Sequence, residues 1–280
     1  MRSYTTAAMR TTTGLSLAPQ ETPQSVSVVT QTQLDERGIT TMQDALKTTT
    51  GINVIPDAGR WRFQSRGFYV DKIEEDGIAS TVPGSAGNPY NDPQSMSDLA
   101  IYDHIEVVRG ATGLTQSNGE PGGTINAVRK NRPQRRKPLP ACKPDRFGKI
   151  YGTGDLSGSL NQAQTLRGRV VGVASRNKNY QKKHAGNDGT LYGVLETDLG
   201  DSATLTFGGM YQTTQETPDF YGVPMGNGFN LKLPTKTYLG ADWNRKKYKK
   251  TNLFTELDYA LNDHWNFNSK LNYVHAASDE

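Results

Sequence analysis

The 280-residue sequence contains one cysteine, Cys142, which excludes an internal disulfide and a cysteine-based metal cluster. It has no run near the roughly 18 apolar residues that a membrane-crossing helix needs. That excludes spanning helices but not a membrane β-barrel, whose strands alternate and average out polar. Histidine is scarce. His104, His184, His264 and His275 are scattered without a helical ligand pair, so they read as isolated polar or half-buried residues and not as a metal site. No Gly-x-Ser-x-Gly elbow occurs, and no Gly-Lys-Ser/Thr follows Gly119-Glu120-Pro121-Gly122-Gly123; serine-hydrolase and P-loop chemistry are not expected. Carboxylate pairs such as Glu74-Glu75 carry no acid–base signature, and the chain is not expected to be an enzyme. Neither charge sign is in large excess, with 32 Lys+Arg against 28 Asp+Glu; nucleic acid is not an expected partner. Met1 to Arg10 lack an apolar h-region. Read literally, this keeps the chain where it is made; the other reading puts an export signal upstream in a longer protein.

Glycine and tyrosine are plentiful, at 29 and 13 residues, which suits turns and strands. Residues 1–19 are Thr/Ala/Ser-rich and predict a flexible segment. Gln24–Thr30 alternates as a strand. Thr40 or Thr41 caps a short helix in which Met42, Ala45 and Leu46 fall at i, i+3 and i+4, with Gly51 as its stop. Ile52–Pro56, Phe63–Phe68 and Lys72–Ile78 predict further strands, and Leu99–Ile105 a short helix. Ile105–Gly110 and Thr124–Arg129 then predict strands, and 82–98 a long Pro/Gly/Asn loop. Intermixed elements of this kind predict an α+β domain over 20–134.

Beyond an irregular Pro/basic linker at 135–150, where three prolines argue against a strand, the pattern changes. Tyr151–Leu160 and Thr165–Arg176, Thr190–Leu199 and Ala203–Thr213, and Asn252–Ala260 and His264–His275 form three pairs of alternating runs. Each pair is joined by a short polar turn. The stretches 177–189 and 214–250 between pairs are longer, and Lys246-Lys247-Tyr248-Lys249-Lys250 reads as a basic loop or strand start. In 203–211 one face is Ala203, Leu205, Phe207, Gly209 and Tyr211, and the other begins Thr204, Thr206 and Gly208. Short turns on one side and long loops on the other suit an outer-membrane barrel, but the period alone fits a soluble sandwich equally well.

Seven segments resemble the TonB-dependent siderophore receptors of Gram-negative outer membranes. They are Glu21–Val26, Met42–Leu46, Gly51–Val54, Ser65-Arg66-Gly67-Phe68, Glu75-Asp76-Gly77-Ile78, Ile105–Gly110 and Gly122–Lys130, in family order. The opening Thr22-Pro23-Gln24-Ser25-Val26 and the close Val128-Arg129-Lys130 resemble the ferric hydroxamate, coprogen and pyoverdine branch. The resemblance implies an α+β plug over 20–134, followed at 151–280 by about six strands of antiparallel β-hairpins from an incomplete outer-membrane β-barrel. A whole barrel of the family has about 22 strands. The implied function is that of a fragment of a receptor for TonB-dependent ferric siderophore uptake, unable to transport alone. The implied partners are a ferric siderophore as ligand, with no bound cofactor or metal, TonB in the intact receptor although no TonB box is recognised, and outer-membrane lipid. A soluble plug-like binding protein with a small antiparallel sheet is the alternative. By place in the family pattern, Arg60, Trp61, Arg62, Tyr69, Tyr90, Gln116 and Ser117 are candidate ligand contacts, offering charge, hydrogen bonds and stacking. Arg66, Glu75, Asp76, Glu106 and Arg109 are expected to be structural charges of the plug, with Arg66 and Arg109 pairing with carboxylates on neighbouring strands or the barrel wall.

Overall fold

Thr30 stands three residues before Gln33, and the two close a capping box. The Gln33 backbone N–H donates to Thr30 Oγ1 at 3.4 Å, and the Thr30 N–H donates to Gln33 Oε1 at 2.9 Å. Strand β1 (Ser25–Thr30) therefore turns straight into helix α1 (Gln31–Arg37), which Gly38 ends in the left-handed conformation. Helix α2 (Met42–Lys47) starts after Thr41, whose hydroxyl donates to Asp44 Oδ2 at 2.8 Å. The computed structural model describes residues 4–9, 11, 16–57, 60–70, 72–79, 98–111, 121–130, 141–144, 146–178, 180–217, 226, 228, 231–241 and 243–279. They fall into two compact units, Met1–Lys130 and Asn131–Glu280.

In the first unit, β2 (Asn53–Asp57), β3 (Arg60–Ser65) and β4 (Phe68–Tyr69) form a three-stranded antiparallel sheet. Strands β5 (Lys72–Glu75), β6 (Ile78–Ala79), β7 (Tyr102–Arg109) and β8 (Gly123–Arg129) join β1 in a five-stranded sheet of order β1-β7-β8-β5-β6. Only β5 and β8 run parallel in it. The sequence reading of Phe63–Phe68 and Lys72–Ile78 as single strands is corrected, because each folds into a two-residue hairpin. Arg66-Gly67 has φ of 53° and 88°, and Asp76-Gly77 has 53° and 79°. Two successive positive φ values are what a type I′ turn requires, and glycine takes the second at no steric cost. Leu99–Ile101 is a 3₁₀ turn and Tyr102 already begins β7, so the helix expected over Leu99–Ile105 is shorter. Leu34, Ala45, Leu46, Ile101, Ile105, Val107, Ile125 and Ala127 make up much of this unit's core. The 1–19 segment is tied down in part: Met9 pairs with Leu17 as a β-bridge, and Met9 and Thr11 are buried.

The second unit is a seven-stranded antiparallel meander: β9 (Ala141–Pro144), β10 (Ile150–Ser159), β11 (Leu166–Lys178), β12 (Ala185–Leu199), β13 (Ala203–Glu216), β14 (Lys246–Ala260) and β15 (Asn266–Asp279). Strand β9 lies inside the stretch expected to be irregular. The edge position explains it: Pro144 is the last residue of the pairing with β10, where a missing N–H costs no ladder bond. The strands also run further than the alternation suggested. The connection expected at 177–189 shortens to 179–184, and the basic run 246–250 belongs to β14, paired with Gln212 to Glu216 of β13.

The two faces of this meander differ as the period demands. Arg167, Arg169, Thr190, Glu196, Thr206, Gln212, Lys250 and Asn252 lie on one face and are mostly buried. Val170, Leu191, Leu195, Phe207, Tyr211, Leu253, Leu271 and Tyr273 lie on the other and are exposed. A shallow trough of about 730 Å³ on the exposed face is lined by Leu156, Leu160, Val170, Leu195 and Phe207. No helix is long and apolar enough to cross a membrane, which says nothing of strands.

Candidate functional site

Within Met1–Lys130 the strand register gathers charges that are far apart in sequence. The Asp76-Gly77 turn places Asp76 against the end of β8. Its carboxylate accepts the Arg129 backbone N–H at 2.9 Å and Arg129 Nη1 at 2.8 Å, while Nη2 donates to Glu75. Glu75 and Arg129 are almost wholly buried. Burial opposes the Arg129 charge, but Glu75 and Asp76 outweigh it and raise the guanidinium above its ordinary value.

A second network sits where β7 meets β8. His104 Nδ1 bonds Asp103 Oδ2 at 2.9 Å, and Nε2 bonds Glu106 Oε1 at 3.0 Å. Burial pushes the imidazole down, yet the two carboxylates carry it up to about 9. At neutral pH both ring nitrogens are therefore donors. The Thr11 hydroxyl donates to the other Glu106 oxygen. Asn126, across the ladder, donates to Thr11 Oγ1 at 2.9 Å and to Glu106 Oε2 at 3.2 Å, and accepts the Gly77 N–H at 3.0 Å. Reading His104 as isolated is thus corrected. The available signal was Asp103-His104-x-Glu106, since residues two apart on a strand share a face.

Arg109 departs from the expected carboxylate pairing. It donates to Ser25 Oγ at 3.1 and 3.0 Å, to Ser27 Oγ at 2.7 Å, and to the carbonyls of Thr50 and Val26 at 2.8 and 3.3 Å. Burial, and then the charge of Arg66, lower its pKa below the ordinary value. Among the described residues Arg66 makes no ion pair; its guanidinium lies beside Gly110, where a Cβ would meet Nη1 at 3.1 Å. A hydroxyl-rich β1 suits Arg109 because Ser25 is paired with it directly in the ladder.

Of the candidate ligand contacts, the three-stranded sheet brings Arg62 and Tyr69 together, with the guanidinium 5.2 Å from the ring centroid. Trp61 points to the opposite face of β3, where Lys47 Nζ lies 4.9 Å from its ring. Trp61, Arg62 and Tyr69 are half-buried. Arg60 is the first residue of β3, opposite Asp57 at the end of β2. Tyr90, Gln116 and Ser117 lie outside the described residues. A polar cleft of about 160 Å³, lined by Ser27, Gln33, Arg37, Thr48 and Thr50 among others, is smaller than the roughly 300 Å³ or more of ordinary ligand pockets.

The sequence of residues 18–124 matches the family model of the TonB-dependent receptor plug domain. The ferric-pyoverdine BN7/BN8 receptor of Pseudomonas putida is 32% identical over 289 residues, covering 99% of this chain and 34% of that receptor. Residues 18–124 therefore form a TonB-dependent receptor plug domain. A solved structure of the P. aeruginosa receptor FpvA bound to a heterologous ferric pyoverdine superposes with a TM-score of 0.90 at 30% identity. That match covers 97% of this chain and 36% of that one. The alcaligin outer-membrane receptor FauA of Bordetella pertussis superposes at 0.79 with 31% identity, covering 98% of this chain and 43% of that one. The chain therefore spans about a third of the length of the curated relatives it matches. In family terms, Met1–Lys130 holds the plug domain and the meander matches the relatives' first barrel strands.

Proposed function

We propose that this chain serves TonB-dependent uptake of a ferric siderophore across the outer membrane, as part of a receptor of the pyoverdine-binding kind. The observation that carries the reading is the continuous likeness of both units to ferric-pyoverdine receptors, at about a third identity over nearly the whole chain. In this reading Arg60, Trp61, Arg62 and Tyr69 contact the ligand, with Arg62 and Tyr69 offering a cation and a ring side by side. Glu75, Asp76, Glu106, Arg66 and Arg109 are the charges that hold the plug in shape. The exposed apolar face of β10–β15 meets membrane lipid, and the polar face lines the interior.

Uptake of radioactive iron as ferric pyoverdine tests the reading, in a strain without its own receptors that makes the protein containing this chain. The expected result is uptake that needs TonB and falls on Trp61→Ala or Arg62→Ala. Uptake independent of TonB, or binding of ferric pyoverdine unchanged in both variants, contradicts it.

A further inference from the structure

Strand β1 is one edge of the five-stranded sheet and, among the described residues, is paired with β7 on one side only. In an antiparallel ladder alternate residues direct their N–H and C=O groups to the partner, and the residues between direct theirs away. Thr30 spends its N–H on Gln33 Oε1 at 2.9 Å rather than on β7, and the Val26 carbonyl accepts Arg109 Nη2 at 3.3 Å. By the same two-residue step the Val28 N–H and C=O face the free edge, and among the described residues neither has a backbone partner outside the ladder. The polar cleft of about 160 Å³ opens at that point, with Val28, Ser27, Gln33 and Arg37 in its lining.

The cleft is basic and rich in donors. Gln33 and Arg37 stand four positions apart on one face of α1. Arg37 is exposed, and among the described residues it makes no ion pair or side-chain hydrogen bond. Gln33 spends its amide oxygen on Thr30 and keeps its NH₂ group uncommitted. Ser27 Oγ accepts Arg109 Nη1 at 2.7 Å, so its own hydrogen remains to donate. Among the described residues no carboxylate lines the cleft; the acids of α1, Asp35 and Glu36, are taken by Gln31 at 2.8 Å and by Tyr4. An unpaired strand edge is a template for a further strand, and a guanidinium without a counter-ion takes a carboxylate through paired N–H donors. We propose that this cleft docks an extended segment of a partner protein that carries an acidic side chain. The segment's backbone adds to the edge at Val28, and its carboxylate meets Arg37, with the Gln33 amide and the Ser27 hydroxyl as further donors. A volume of about 160 Å³ suits one such side chain and not a whole small molecule.

The test measures binding of a dansyl-labelled peptide to the whole chain, held in neutral maltoside micelles, by fluorescence anisotropy. The peptide alternates threonine and valine, carries one aspartate and is blocked at both ends. It is expected to bind, and to bind about tenfold more weakly when asparagine replaces the aspartate. Arg37→Gln is expected to weaken the aspartate peptide by the same factor and to leave the asparagine peptide unchanged, so that the two bind alike. Lys182→Gln, in the second unit, leaves both affinities as they were. Val28→Pro deletes the edge N–H without removing a ladder bond to β7 and abolishes binding of both peptides. N-methylation of the peptide backbone does the same with the protein unaltered, which separates loss of the edge contact from misfolding of the proline variant. Equal affinity for the aspartate and asparagine peptides, an Arg37→Gln chain that still distinguishes them, undiminished binding of the N-methylated peptide, or no binding of the aspartate peptide overturns the proposal.

Discussion

The two units arrange their charges differently. In Met1–Lys130, Glu75, His104, Glu106 and Arg129 are each under a tenth exposed and are held by partners 1 to 95 positions away in the chain. In the meander the inward charges keep to one face of a regular ladder, with Arg167, Asp155 and Asp198 partly open and Arg169, Glu196 and Lys250 buried. A buried charge without its partner is costly, while a partly solvated one loses little. The plug's shape therefore depends on particular residues, and the meander's shape depends on a repeating pattern.

That contrast breaks most readily at Arg129. Arg129→Ala leaves Glu75 buried without a counter-charge and is expected to destabilise residues 1–130 by about 3–5 kcal/mol in urea unfolding. Arg167→Ala in the meander, where Arg167 and Asp198 are partly open to water although Glu196 is buried, is expected to cost less, about 1–2 kcal/mol. Equal losses would erase the distinction. Gly123 and Gly193 sharpen it further. A Cβ on Gly123, at φ 134°, would lie 2.1 Å from the Val108 carbonyl oxygen, and a Cβ on Gly193 meets nothing within 4 Å. Gly123→Ala is expected to cost several kcal/mol, roughly 3 or more, and Gly193→Ala to stay within about 0.5 kcal/mol; thermal melts of each variant check both.

His104 supplies the next effect. Its pKa is raised from 6.5 to about 9 in the folded plug, so its stabilising contribution is complete below pH 6.5 and is lost as pH rises through 9. The loss is on the order of 3 kcal/mol. Denaturant midpoints of residues 1–130 should fall across that window, and His104→Gln should flatten the slope. A midpoint unchanged between pH 6.5 and 9.5 would show that Asp103 and Glu106 do not hold the proton. The smallest effect is expected at Lys47→Gln, which removes the cation over Trp61 and costs about 0.5–1 kcal/mol, read by urea unfolding.

The same contrast governs what the sequence makes visible. The hairpins of the meander are legible because period 2 repeats over 10 to 15 residues in β10–β15, and the short turns are polar. The extra rungs at Ala185–Gly189 and Lys246–Lys250 are hidden because their residues are small or charged on both faces. Strand β9 is hidden because Pro144 argues against a strand, although the end of an edge strand accommodates it. In the plug, α2 follows from Met42, Ala45 and Leu46, but α1 is missed because its N-cap, Thr30, is also the last residue of what reads as a strand. The two hairpin turns are written in Arg66-Gly67 and Asp76-Gly77 but look like continuing strands. The candidate site is legible as residue types at family positions. The partners that fix the plug charges, Arg129, His104, Asn126 and Thr11, come from register and tertiary placement, which no local pattern carries.

The central claim is that β10–β15 present one face to lipid and the other to a polar interior. Spin labels at single cysteines introduced one by one from Leu205 to Tyr211, with Cys142 replaced by serine, test it directly in lipid vesicles. The expected result is oxygen accessibility that alternates along β13, high at Leu205, Phe207, Gly209 and Tyr211 and low at Thr206, Gly208 and Met210. Uniform accessibility, or access by a water-soluble nickel reagent at the odd positions, would contradict it.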